Sequence, residues 1–174
     1  MKIIAINVDW QNDFCEGSLG VGKDKFLPLA EKIKEYFIKN KPEKIIFTQD
    51  FHPANHSSFK ENGGIWPVHC VENTFGAEIE KTVADFVKLN NLKPEYFLKG
   101  RDAQKEEYGA DIQNLNADEN TEIHVFGLCY DYCVKSTADI MKQRYPKAKV
   151  KILKSLTVAI NPDWVYQGDC IVIE

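Results

Sequence analysis

The apolar positions of this chain change their period several times, and those changes divide it into alternating strands and helices. Ile3 to Val8 is almost continuously apolar and rich in β-branched residues, the pattern of a strand buried on both faces. It stops at the polar cluster Asp9-Trp10-Gln11-Asn12-Asp13. After a glycine-rich loop (Gly17, Gly20, Gly22), the residues Phe26, Leu27, Ala30, Ile33 and Phe37 recur at helical spacing. Lys44 to Thr48 reads as a second strand, followed by a long polar loop to about Asn73. A helical pattern covers roughly Ala77 to Val87, and Tyr96-Phe97-Leu98 is a short third strand ending at Lys99. Glu122 to Phe126 is a fourth strand, and Val150 to Leu153 and Cys170 to Ile173 are the last two. Between them, Cys133 to Arg144 carries Val134, Ala138, Ile140 and Met141 at positions that suit a helix packed on a sheet.

This alternation predicts an α/β fold, a three-layer α/β/α arrangement around a mostly parallel sheet of about six strands. No repeat or linker interrupts residues 1–174, so a single domain is expected. In such sheets ligands gather beyond the C-terminal ends of the strands. Four of those ends carry chemically loaded residues: Asp9, Asp50, Lys99 and the turn from Cys129 to Cys133.

Composition narrows the function classes. The net charge is -4, and with no Lys/Arg stripe it argues against nucleic acid as a partner. No apolar run is long enough to span a membrane, and the opening MKIIAINVDW reads as a strand rather than a signal peptide. The five cysteines, Cys15, Cys70, Cys129, Cys133 and Cys170, show no spacing of a disulfide framework or a zinc knuckle. A cytoplasmic enzyme with reduced thiols is the expectation.

Cys133 sits where a strand and a turn open a helix. Free N–H groups and the helix dipole at such a position favour a thiolate, and the same N–H groups can donate to an oxyanion. The bland alternative is a structural cysteine, since free cysteines are often buried. Asp9, at the end of the first strand, could take the thiol proton and return it to a leaving amine; otherwise it is a turn residue. Lys99 could lower the thiol pKa and keep Asp9 ionised; otherwise it is a solvated lysine. In the loop after the second strand, Asp50 and His52 are two residues apart in an extended segment and share a face. His69 adds a second imidazole. One carboxylate and two imidazoles suit zinc, iron or manganese with positions left open. His56 could be a fourth ligand or support another one, and His124, inside a strand, reads as a core or edge histidine.

Five blocks, in order along the chain, carry a family resemblance: D-x-Q-N-D-F with G-S-L-x-V (Asp9 to Phe14, Gly17 to Val21), T-Q-D-x-H-P-x-x-H-x-S-F (Thr48 to Phe59), W-P-x-H-C (Trp66 to Cys70), K-G (Lys99, Gly100) and G-L-x-x-D-Y-C-V (Gly127 to Val134). Together they resemble the nicotinamidase/pyrazinamidase branch of the isochorismatase-like cysteine hydrolases. The resemblance implies a catalytic triad of Asp9, Lys99 and Cys133, with a divalent metal, zinc first among zinc, iron and manganese, held by Asp50, His52 and His69. It also implies a cis peptide at Leu128-Cys129, an oxyanion hole from the N–H groups of Cys129 and Cys133, and a pyridine pocket lined by Phe14 and Trp66. The implied reaction is hydrolysis of nicotinamide, and of pyrazinamide as well, through a cysteine thioester; the homo-oligomeric state is left open.

Departures fall at Arg101, at Tyr108-Gly109-Ala110-Asp111, at Ser155 to Ile160 and in a C-terminal crossover with little helical pattern between Asn161 and Gln167. They touch the pocket rim and any subunit contacts. Two other readings compete: an isochorismatase-like amidohydrolase acting on a different small amide, and a redox or metal-binding protein using Cys129 and Cys133.

Overall fold

A computed structural model describes all 174 residues. Six strands, β1 (Lys2–Val8), β2 (Lys44–Asp50), β3 (Glu95–Lys99), β4 (Thr121–Leu128), β5 (Lys149–Val158) and β6 (Ile171–Ile173), make one sheet in the order β3-β2-β1-β4-β5-β6. Every pairing is parallel. Four α-helices accompany it: α1 (Asn12–Cys15), α2 (Lys23–Asn40), α3 (Lys81–Leu89) and α4 (Lys135–Arg144). The first three pack on one face, where Phe26, Ile33, Phe37, Val83 and Val87 meet Ala5, Phe47 and Phe126. On the other face Val134, Ala138 and Met141 of the α4 region meet Ile4, Ile6, Val125 and Ile152. A strand covered on both sides has no need of polar alternation, which is why β1 reads as an unbroken apolar run.

The chain winds outward in both directions from the β1–β4 pair, so the strand order reverses there and a crevice opens at the C-terminal ends. That places Asp9, Asp50, Lys99 and Cys129 around one depression.

Local chemistry adjusts several boundaries. The third helix starts at Lys81 rather than Ala77, because the Glu80 carboxylate accepts the Thr82 N–H at 2.9 Å and caps it. Residues 75–77 form only a single 3-10 turn. In α2 it is Leu29 that enters the core, while Leu27 is 42% exposed. Cys133 lies in a π-type turn over Tyr130–Val134 that precedes α4. Strand β5 runs to Val158 past a register shift opposite Val125 and Gly127. The β5–β6 crossover has no helix; it is held by Trp164 packing edge-on against Tyr130, with ring centroids 5.0 Å apart. No helix is long and apolar enough to cross a membrane.

Gly127 is the tightest point of the central pair. It lies opposite Val8, has a left-handed φ of 115°, and a Cβ there would come within 2.3 Å of the Val8 carbonyl oxygen. Only glycine satisfies both conditions. Gly127→Ala is expected to lower unfolding stability by about 2 kcal/mol or more. Denaturant titration reads this as a lower midpoint, and an unchanged midpoint would show that β1 and β4 can part without loss.

Candidate active site

Lys99 is the last residue of β3, an edge strand whose other residues are largely accessible, yet it is only 3% exposed. A buried ammonium needs anions. Lys99 Nζ donates to Asp50 Oδ1, lies 2.9 Å from Asp9 Oδ2 and 3.8 Å from Cys133 Sγ, and reaches the Glu107 carbonyl oxygen at 3.4 Å. Burial works against its charge, but Asp50 and Asp9 outweigh burial and hold the ammonium well above the usual lysine value. Burial likewise pushes up the Asp9 carboxyl, with Lys99 pulling it down. For Asp50, Lys99 and His52 overcome burial and keep the carboxyl below the usual range. Burial also raises the Cys133 thiol well above its ordinary value against the pull of Lys99.

The block from Asp9 to Phe14 explains how these ends are held. Asp9 turns sharply out of β1 with a φ of 47°, and its Oδ1 accepts the Thr48 hydroxyl at 2.6 Å. The buried Gln11 amide brackets Asp50: Nε2 donates to the Asp50 carbonyl oxygen at 2.7 Å, and Oε1 accepts the Asp50 N–H at 2.8 Å. Asp13 accepts the Cys70 N–H at 2.7 Å and so anchors the segment that carries His69. Phe14 packs its ring against His69, with centroids 5.6 Å apart.

Asp50, His52 and His69 present ligand atoms within 4.8 Å of one another, all buried. Their hydrogen bonds fit them for an ion. His52 Nδ1–H donates to the Gly100 carbonyl oxygen at 2.8 Å, which leaves its buried Nε2 without a hydrogen-bond partner and facing Asp50 Oδ2 at 3.6 Å. His69 Nδ1–H donates to the Pro67 carbonyl oxygen at 2.8 Å, and its Nε2 lies 4.0 Å from the same carboxylate oxygen. A bare Nε2 whose tautomer is set by the other nitrogen is the usual state of a metal-binding imidazole. Gly100 is required here: it has a φ of 66°, and a Cβ would sit 2.4 Å from the His52 ring. His56 has no free nitrogen, because Nδ1 meets Ser58 Oγ at 2.7 Å and Nε2 meets the Lys105 carbonyl oxygen at 3.1 Å. Its ring lies against that of His52, centroids 4.1 Å apart. The set fits a divalent metal ion.

Beside both groups lies a narrow cavity. Phe14 and Trp66 line it, as the resemblance implied, together with Asp50, His69, Cys129 and Cys133. Leu19, Glu106, Tyr108, Tyr132 and Ile160 complete the wall; Tyr108 and Ile160 lie in the departures assigned to the pocket rim, while Leu19, Glu106 and Tyr132 carry no role in the sequence reading. Tyr132 adjoins the nucleophile candidate in the D-Y-C block, and Leu19 lies in G-S-L-x-V, so both could have been found. Glu106 and Ile160 belong to no block. The Leu128–Cys129 peptide is cis. His124 is a structural histidine, accepting from or donating to the Tyr36 hydroxyl at 2.8 Å and bonded to Glu122 at 3.0 Å. All five cysteines are free and buried.

Comparison with known proteins adds an independent line. No family model matches the chain. The chain is 30% identical to the nicotinamidase of Saccharomyces cerevisiae, over 79% of this chain and 80% of that protein. Among solved structures, the pyrazinamidase of Pyrococcus horikoshii in complex with zinc is 30% identical with a TM-score of 0.74, over 94% of this chain and 89% of that one. A nicotinate complex from L. infantum is 27% identical with a TM-score of 0.75, covering 92% of this chain and 82% of that chain.

Two outcomes follow from this geometry. Lys99→Met leaves two carboxylates buried without their cation, a loss of about 3 to 5 kcal/mol near neutral pH in metal-free protein. Because Asp50 is held below its unfolded value, its contribution is complete above the unfolded carboxyl pKa and fades as pH falls. The gap between parent and variant should therefore narrow in acid; a gap that is constant with pH would rule out this pairing. For the metal cluster, His52→Ala should lose a zinc ion loaded onto the parent, and His56→Gln should keep it. Metal analysis after gel filtration distinguishes them, and equal loss in both would make His56 a ligand.

Proposed function

The chain belongs to the nicotinamidase/pyrazinamidase family, and from that premise we propose that Cys133, Asp9 and Lys99 hydrolyse nicotinamide to nicotinate and ammonia, with pyrazinamide as a second substrate. The observation that carries the residue assignment is the single buried ammonium of Lys99, in contact with Asp9 and Asp50 and 3.8 Å from the Cys133 sulfur, behind a cavity whose wall includes Asp50 and Cys133.

The pyridine ring lies between the apolar walls that include Phe14 and Trp66, with its carboxamide toward Cys133. Asp9 takes the Cys133 proton as the sulfur attacks the carboxamide carbon. Burial strengthens Asp9 as a base and makes the thiol reluctant to ionise beforehand, so proton transfer accompanies attack. The new C–S bond leaves an oxyanion, for which the backbone N–H groups of Cys129 and Cys133 are the donors; one such donor is typically worth about 3 to 4 kcal/mol. Asp9 returns the proton to the departing nitrogen, the C–N bond breaks, and ammonia leaves a thioester on Cys133. Asp9 then accepts a proton from a water that attacks the thioester carbon. The C–S bond breaks, Asp9 returns its proton to the sulfur, and the released acid gives up its own proton to solvent as nicotinate. Lys99 remains charged throughout and holds Asp9 in place.

Asp50, His52 and His69 are proposed to hold one zinc ion, in keeping with their N/N/O donor set and with the zinc complex of the relative. When bound, zinc supplies a positive centre that orients the ring nitrogen and polarises the ring. Five free cysteines fit a reducing compartment, the cytoplasm in this reading.

Ammonia release from nicotinamide, with and without chelation and zinc add-back, tests the assignment. The parent should turn over in a chelator-sensitive manner. Cys133→Ala should lose at least about 10³-fold in rate while still binding zinc and nicotinate. Substantial turnover by Cys133→Ala would remove Cys133 as the nucleophile, and no turnover by folded, zinc-loaded parent would move the enzyme to another amide.

A further inference from the structure

Two carboxylates line the substrate cavity, Asp50 and Glu106, and the mechanism uses only the first. Glu106 is fixed on both sides by its neighbours. The Glu107 carboxylate accepts the Gly100 N–H at 3.0 Å and pairs with Lys105 at 2.6 Å, while the Lys105 carbonyl oxygen meets His56. On the other side the Tyr108 hydroxyl accepts the Trp66 indole N–H at 3.1 Å. The backbone therefore holds Glu106 at the cavity wall. Its side chain is solvent-exposed where it lines the cavity and forms no ion pair, and it lies within electrostatic reach of Asp50, His52 and Lys99.

Charge balance says what this carboxylate is for. At this site the buried carboxyl groups and ammonium are Asp9, Asp50 and Lys99. A divalent ion on Asp50, His52 and His69 leaves that set with one uncompensated positive charge, and Glu106 supplies the matching negative one. Without the ion the same groups carry an excess of negative charge, an arrangement that buried charges tolerate poorly. Three protein ligands also leave coordination positions for water, and a metal-bound water is a strong hydrogen-bond donor.

We infer that Glu106 is a positioning residue of the metal site, its carboxylate accepting a hydrogen bond from water bound to the divalent ion and raising the affinity for that ion. The inference rests on the metal reading given above. Its test needs no substrate, so a failure to hydrolyse nicotinamide leaves it untouched.

The full chain, stripped of metal, is titrated with zinc against a competing chromophoric chelator. Glu106→Gln should bind zinc about 10- to 100-fold more weakly than the parent, the usual range for a group supporting the ligands. Glu106→Asp should recover part of the loss, which a merely structural role would not produce. Thermal melts of the metal-free proteins should coincide, while the rise in Tm on adding zinc should shrink in Glu106→Gln. Glu106→Ala repeats the comparison should the glutamine variant fold poorly. Zinc affinity in these variants within about twofold of the parent would overturn the inference, and a raised KM alongside it would make Glu106 a substrate contact instead.

Discussion

A lysine ammonium removed from water is the constraint around which this molecule is arranged. Lys99 ends an edge strand, where a lysine would ordinarily reach solvent, but Asp9, Asp50, the Cys133 sulfur and the Glu107 carbonyl surround its ammonium. A charge so placed is stable only if its partners arrive from elsewhere in the chain. They come from the ends of β1 and β2 as Asp9 and Asp50. The strand order then has to bring β1, β2 and β3 side by side with their ends level, and the register pairs Asp50 with Lys99 directly. Asp50 divides its two oxygens, one toward Lys99 and the other toward His52 and His69. The proposed catalytic and metal-binding halves of the site thus share one carboxylate, and neither can shift without the other.

The turn after β1 supplies most of the fastening. Asp9 meets the ammonium, Gln11 ties β1 to the main chain at Asp50, Asp13 ties it to the His69 segment, and Phe14 supports the His69 ring. These are backbone-directed hydrogen bonds from buried side chains, which specify geometry because the alternative is an unsatisfied polar group. A short stretch of sequence is therefore dense in polar residues immediately after an apolar strand, and the density itself is the mark of the site.

That density is also why so much was legible before any coordinates. The strand ends, the α/β layering and the D-x-Q-N-D-F, D-x-H, P-x-H and D-Y-C blocks all lie in contiguous runs, where period and residue type carry the information. What lies outside such runs is legible only as a departure at the pocket rim, as at Ile160, or not at all, as at Glu106. Glu106 and Ile160 reach the cavity from irregular loops, whose paths are set by contacts made after folding, such as the Asp131 carboxylate accepting the Ile160 N–H at 3.0 Å. The start of α3 was misplaced because Glu80 caps it while also taking the indole N–H of Trp10, a tertiary contact with no local signature. His56 had the right residue type for a ligand; only the positions of Ser58 and the Lys105 carbonyl show that both of its nitrogens are taken.

Burial also decides how the sulfur is activated. A thiolate stored beside two ionised carboxylates would set three anions against one ammonium in a buried site. The direction of the shifts agrees, since burial raises both the Cys133 thiol and the Asp9 carboxyl. What the arrangement permits is an exchange: one proton passes from sulfur to Asp9, and one negative charge passes back, both within reach of Lys99. The net charge of the pocket does not change during that exchange, so the low dielectric that penalises ionisation imposes little penalty on the transfer. In the proposed reaction, burial, which disfavours ionisation of the resting Cys133 thiol, is thereby compatible with attack once a carbonyl carbon is present to accept the sulfur's electrons.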